Sequence, residues 1–96
     1  MERDAYVEKR EAEIRELEAD IKKLRAQADK VKADAKIGYQ EQADRLRKNL
    51  DQAQKQLGEL KSAAGDAWEN LRTGVEKGMA EVRSGVEAAK NQLKSK

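Results

Sequence analysis

Between residues 7 and 35 the apolar side chains advance in alternating steps of three and four: Ile14, Leu17, Ile21, Leu24, Ala28, Val31 and Ala35. Such spacing keeps a narrow apolar stripe on one side of a helix and is the signature of a heptad seam, with Ile14 and Ile21 at the first core position and Leu17 and Leu24 at the second. The rhythm loosens after Ala35, where heptad counting would bring Gly38, Gln42 and Arg45 inward. An eleven-residue step to Leu46 restores the phase, turns Tyr39 and Ala43 inward, and lets the seam resume as Leu46, Leu50, Ala53, Leu57, Leu60 and Ala64. One Gly costs a helix about 1 kcal/mol, and no Pro or polar turn cluster accompanies Gly38, so the pattern predicts one unbroken helix through residues 1–63.

A second period closes the chain. The blocks AGDAWENLRTG from Ala64 and VEKGMAEVRSG from Val75 carry apolar or small residues at positions 1, 4, 5 and 8, and VEAAKNQLKSK from Val86 carries them at 1, 4 and 8 as Val86, Ala89 and Leu93. Eleven residues close three turns, so these positions form one stripe on a nearly straight helix over residues 64–96. Gly65 suits the left-handed position that ends a helix, and Asp66 followed by Glu69 has the acceptor-and-return pattern of a helix start. The eleven-residue phase nevertheless runs through Gly65. Two architectures therefore satisfy the pattern: an unequal helical hairpin that turns near Gly65, or one continuous helix about 140 Å long.

Neither architecture shields its own stripe, and an oligomer is expected from both. The fold class is accordingly all-α, a long-helix coiled coil assembled from several copies. The self-association seam is expected at Ile14, Leu17, Ile21, Leu24, Val31, Leu46, Leu50, Leu57 and Leu60. The C-terminal contact face is expected at Trp68, Leu71, Val75, Met79, Val82, Val86 and Leu93. Charge order supports the first segment: Glu11 with Arg15, Glu18 with Lys22, Glu41 with Arg45, Asp44 with Lys48 and Asp51 with Lys55 set acid before base at four-residue spacing, each pair contributing roughly 0.2–0.5 kcal/mol. Beyond Gly65 the order reverses in Arg72 with Glu76, Lys77 with Glu81 and Arg83 with Glu87. Together with Gly74, Gly78 and Gly85, this makes the last third dependent on tertiary contact.

Composition narrows the chemistry. The 96 residues include no Phe, no Pro, one Trp and two Tyr, and 42% are charged, so a large globular interior is excluded while the strong helix formers dominate. With no Cys and no His the usual ligands of transition metals and the usual nucleophile–base pairs are missing, so no cofactor or metal is expected. Carboxylates such as Glu11, Glu13, Glu16 and Glu18 lie on different faces beside Lys and Arg. With no glycine-rich phosphate loop and no core to exclude water, an enzyme is not expected. Lys and Arg number 21 against 19 Asp and Glu. Nucleic acid is not the expected partner, and the basic cluster Arg45, Arg47 and Lys48 reads as a solvated face. The first ten residues lack the apolar core of a secretory signal and no apolar run nears the roughly 20 residues that span a bilayer, which makes the cytoplasm the expected compartment.

Trp68 could serve as an interfacial anchor, but its place inside the stripe favours filling the gap beside Ala64 and Ala67 where helices meet. Gly74 and Gly78 permit close helix approach. The recurring Gly-Val blocks at Val75 and Val86 resemble the membrane-surface helices of apolipoproteins and synucleins. A lipid surface would prefer bulkier apolar residues and uniformly basic flanks, whereas Glu76 and Glu87 here share a flank with Arg72, Arg83 and Lys94.

Residues 28–78 carry a further likeness in Lys32-Ala33-Asp34-Ala35-Lys36-Ile37, Tyr39-Gln40, Gly65-Asp66-Ala67-Trp68-Glu69-Asn70-Leu71 and Gly74-Val75. These resemble a small bacterial coiled-coil family of stress-response proteins from cyanobacteria and proteobacteria; Gly38 stands where that family would carry an acidic residue. The resemblance implies a soluble cytoplasmic protein with no catalytic or ligand residues to carry over. The expected function is that of a structural or interaction protein, a self-associating coiled coil linked to stress response. The alternative is reversible binding of a membrane surface through the C-terminal face.

Overall fold

The computed structural model describes residues 2–94. Three helices follow one another: α1 (Glu2–Ala28), α2 (Ala33–Leu60) and α3 (Asp66–Lys94), with no strand among the described residues. They are nearly equal in length, at 27, 28 and 29 residues. The result is a three-helix bundle measuring 50 × 18 × 17 Å. Inter-helix pairs fix the directions. Glu11 meets Lys61 and Arg25 meets Asp44, so α1 and α2 are antiparallel. Tyr6 meets Glu76, Glu13 meets Arg83 and Asp20 meets Lys90, so α1 and α3 run the same way in register.

The all-α class holds, but the helix expected over residues 1–63 is corrected to two helices, because the chain reverses at residues 29–32. Neither a two-armed hairpin nor a single rod describes the chain. The physical reason is burial: folding back at residues 29–32 sets the α1 stripe against α2 and α3 of the same chain, which local helix propensity cannot anticipate. The turn itself carries little local instruction. Among the described residues only Gly65 has a positive φ, and Lys32 leaves the helical region through an extended backbone (φ −62°, ψ 150°) with no side-chain cap on α2. Lys30 and Val31 close the end of α1 by donating their N–H groups to the carbonyls of Gln27 and Ala28 at 3.0 and 3.3 Å.

The second reversal falls where Gly65 and Asp66 place it. Ser62 and Ala63 donate to the carbonyls of Glu59 and Leu60, tightening the last turn of α2, and Gly65 then takes φ +56°, a conformation that penalises any Cβ. Asp66 and Glu69 occupy the acidic first turn of α3, favourable to the helix dipole. Glu69 does not turn back as a capping partner; its carboxylate is bonded by Arg72 at 3.1 Å.

Core positions show one shared period. The buried residues of α1 are Val7, Ile14, Leu17, Ile21, Leu24 and Ala28; those of α2 are Ala43, Leu46, Leu50, Ala53, Leu57 and Leu60; those of α3 are Val75, Met79, Val82, Val86 and Ala89. All three stripes step by threes and fours. In α3 this replaces the eleven-residue register near its start: Ala64 and Ala67, expected on the stripe, are exposed, while Trp68, Leu71 and Leu93 pack half-buried against the core. From Val75 onward the buried positions fit both periods, with Gly78, on the stripe of the eleven-residue register alone, half-buried; packing against two heptad helices selects between the periods where they differ. The expected C-terminal stretch extends past the described residues at Ser95 and Lys96, and the side chain of Lys94 also lies outside them.

Small residues bring α3 close to α2. A Cβ on Gly78 would sit 3.5 Å from the Ala53 methyl, one on Gly74 would press on the Gln56 amide at 3.2 Å, and one on Gly85 would collide with Leu46 Cδ2. Gly38, by contrast, is inside α2 with open space around it. Chemical denaturation of single variants tests these assignments. Gly38→Ala and Gly78→Ala should each raise stability by up to about 1 kcal/mol, from helix propensity alone. Gly65→Ala should lower it by about 1–2 kcal/mol, and Leu50→Ala, which empties a fully buried position, by about 2–5 kcal/mol.

Candidate functional site

Polar chemistry concentrates on the face shared by α1 and α3. Arg10 lies between Val7 and Ile14, at a seam position that an apolar residue would ordinarily occupy, and its side chain is only 19% exposed. Its guanidinium reaches outward to two carboxylates, Glu13 at 2.6 Å and Glu76 of α3 at 3.7 Å. The Glu13 carboxylate is shared with Arg83 of α3, and the Glu76 carboxylate accepts a hydrogen bond from the Tyr6 hydroxyl at 3.3 Å. The Arg10 guanidinium also stands 5.1 Å from the centre of the Tyr6 ring. One turn further toward the chain start, the Tyr6 ring meets Trp68 edge to face at 5.8 Å, and the Arg3 guanidinium covers the Trp68 ring at 4.7 Å. Arg3, Trp68, Tyr6, Arg10, Glu76, Glu13 and Arg83 thus form one alternating chain of cations, rings and carboxylates along the α1–α3 seam.

Burial pushes the Tyr6 hydroxyl above its ordinary pKa, because the phenolate loses hydration; the Glu76 charge pushes the same way and the neighbouring Arg10 opposes it. Arg10 also has its pKa raised: burial favours the neutral form, but bonding to Tyr6 and the charges of Glu13 and Glu76 outweigh it. Neither shift creates an acid or base that titrates near neutral pH. What the cluster can do chemically is hold α1 in register on α3, through contacts each worth about 0.5–1 kcal/mol at exposed sites.

Charges expected to pair within helices instead join them. Glu11 bonds Lys61, Glu18 bonds Arg47, and Asp44 bonds Arg25, while Asp51 accepts from Arg47 of its own helix. In α3 the reversed order of charges leaves Glu76 and Arg83 available to α1. Arg47, from the basic cluster, is thereby committed to carboxylates on both sides.

The structure places the expected self-association seam inside the chain. Ile14, Leu17, Ile21, Leu24, Leu46, Leu50, Leu57 and Leu60 are buried between the chain's own helices, and Val31, at the first turn, is half-buried. On the expected C-terminal face, Val75, Met79, Val82 and Val86 are buried in the same core. Trp68 packs against Tyr6 and not into a gap beside Ala64 and Ala67. Sequence reasoning missed Arg10, although one signal was present: it interrupts the α1 stripe at a core position.

The remaining surface offers open grooves. One, about 360 Å³, is lined by Asp20, Lys23, Leu24, Gln27, Lys90 and Leu93; another, between α2 and α3, is lined by amides and small residues including Asn49, Gln52, Gln56, Gly74 and Gly78. Among the described residues no three His, Cys, Asp or Glu gather as a metal site, no polar or charged residue is buried, and no helix is long and apolar enough to cross a membrane. Comparison with known protein families, with curated proteins and with solved structures finds no match.

The raised Tyr6 pKa carries a prediction for alkaline stability. The folded state holds this proton more tightly than the unfolded chain, whose tyrosine titrates near 10.0, so the associated stability is complete below that pH and is lost as pH rises through the higher folded value. Tyr6→Phe should therefore show a shallower fall of stability above pH 10 than the unsubstituted chain, measured by urea unfolding at a series of pH values.

Proposed function

We propose that this protein is a structural or interaction module that works by helix–helix association with further copies of itself. The supporting observation is the character of its interior: three apolar heptad stripes interlocked in one core, interrupted in α1 by the partly exposed Arg10, with no polar residue buried among the described residues, of the kind that pack equally well within a chain or between chains. Open grooves lined by amides and paired charges do not offer the walled, water-excluding setting that catalysis uses, and we accordingly assign no enzymatic role. The resemblance of residues 28–78 to bacterial coiled-coil stress-response proteins adds a cytoplasmic setting and a role in stress tolerance to the proposal. The C-terminal face is the basis of the rival function, a membrane-surface binder. It stands second because Val75, Met79, Val82 and Val86 are already covered by α1 and α2, so lipid binding would first have to expose them.

Light scattering and sedimentation from micromolar to millimolar concentration test the self-association, which predicts a mass rising above that of one chain while helicity is retained. A single-chain mass throughout would overturn it. Flotation with anionic or neutral vesicles, accompanied by loss of the α1–α3 contacts, would favour the membrane reading instead.

A further inference from the structure

The two turns of this bundle are built differently, and the difference bears on how a second copy would be engaged. At residues 61–65 the reversal is written into the backbone, since Gly65 holds φ +56°. At residues 29–32 there is no Gly, no Pro and no positive φ; Lys32 has an extended backbone, and α2 begins without a side-chain cap. The heptad seam meanwhile runs straight through that turn as Leu24, Ala28, Val31 and Ala35, with Val31 and Ala35 half-buried. The sequence at residues 29–32 thus carries no helix breaker, and apart from the Asp29–Lys36 ion pair at 3.7 Å that spans the turn, the reversal serves to bring α1 onto its own α2 and α3. Straightening the turn would satisfy the uncapped amides at the start of α2 with carbonyls at the end of α1.

We propose that two copies of this chain associate by exchanging α1, each straightening residues 29–32 so that α1 and α2 become one helix about 90 Å long. The two long helices lie antiparallel; α1 of each copy fills the groove between α2 and α3 of the other, and α3 folds back at Gly65 in both. The contacts are those already seen. Glu11 with Lys61, Glu18 with Arg47 and Arg25 with Asp44 become pairs between copies on the long helices, and Glu13 with Arg83 and Asp20 with Lys90 become pairs between copies from α1 to α3. New contact arises only near the two-fold axis, where Val31 and Ala35 of one long helix meet the same region of its partner. The occupant of the groove is a second copy because its α1 is chemically identical to the helix now seated there, and exchange through a connecting turn is the usual low-cost route to such a dimer. The inference rests on the self-association proposed above and names its mode.

Two single variants of the cysteine-free chain, Asp20→Cys and Lys90→Cys, test it, because Asp20 on α1 and Lys90 on α3 lie within 3.6 Å as an ion pair. The two chains are denatured, mixed, refolded together at high concentration and treated with a short bismaleimide. Exchange predicts a covalent heterodimer on a denaturing gel. It predicts at least a tenfold weaker band when the chains are folded separately before mixing, and an equal loss when Gly-Ser-Gly is inserted after Lys30 to relax the turn. Light scattering on the same samples separates the failures. A dimeric mass without the heterotypic cross-link, or a cross-link undiminished by the insertion, overturns the exchange and leaves self-association standing; a single-chain mass with native helicity overturns both.

Discussion

A thin apolar stripe on a charged helix cannot hide itself, and that constraint organises the whole molecule. Each helix here commits one residue in every three or four to the stripe and surrounds it with Lys, Arg, Glu and Asp, so two stripes packed together would still leave apolar edges open to water. Three helices close the arrangement. The side chains of Ile14, Ile21, Leu50, Leu57, Leu60, Met79, Val75, Val82 and Val86 are all essentially inaccessible, which a pair of such helices does not achieve. The near equality of the three helix lengths follows from the same requirement, because any overhang would expose stripe.

The charged rim adds direction to this burial. Apolar stripes of Leu, Ile, Val and Ala are poorly discriminating, since neighbouring registers bury similar areas. Pairs between helices break that degeneracy: Arg25 with Asp44 and Glu18 with Arg47 set α1 against α2, and Glu13 with Arg83 and Asp20 with Lys90 set α1 against α3. Individually such exposed pairs contribute little, but a misregister of one turn would lose several together. Arg10 adds a further tie between α1 and α3 through Glu76, while Glu13 and the Tyr6 ring hold it on its own helix. The small residues Gly78 and Ala53 complement it on the opposite side, letting α3 approach α2 closely enough for short side chains to fill the interior.

The proposed self-association draws on the same economy. An interior made of interchangeable stripes, sealed by contacts that do not depend on which chain supplies them, suits association more than chemistry. Under the proposed exchange, the turn at residues 29–32 is the place where intramolecular and intermolecular packing would compete, because no glycine and no positive φ hold it closed.

Much of this was legible in the residues themselves. The helical class, the stripe positions in α1 and α2, the inward roles of Ala43 and Leu46 after the irregular step, and Gly65 as one of two readings of the chain's end, a turn or a continuous helix, follow from periodicity and from a backbone conformation that glycine adopts freely. Those are local properties, and sequence fixes local properties. The first reversal was not legible, because residues 29–32 contain no breaker and continue the seam; only the burial gained when α1 returns to its own chain places a turn there. The roles of Glu76, Arg83 and Arg10 were equally hidden, since a charge that looks unpaired or misplaced on one helix acquires its partner from another. Periodicity reports that a stripe must be covered, and tertiary structure alone decides by what, since the free energy of covering it is almost blind to whether the cover is near or far along the chain.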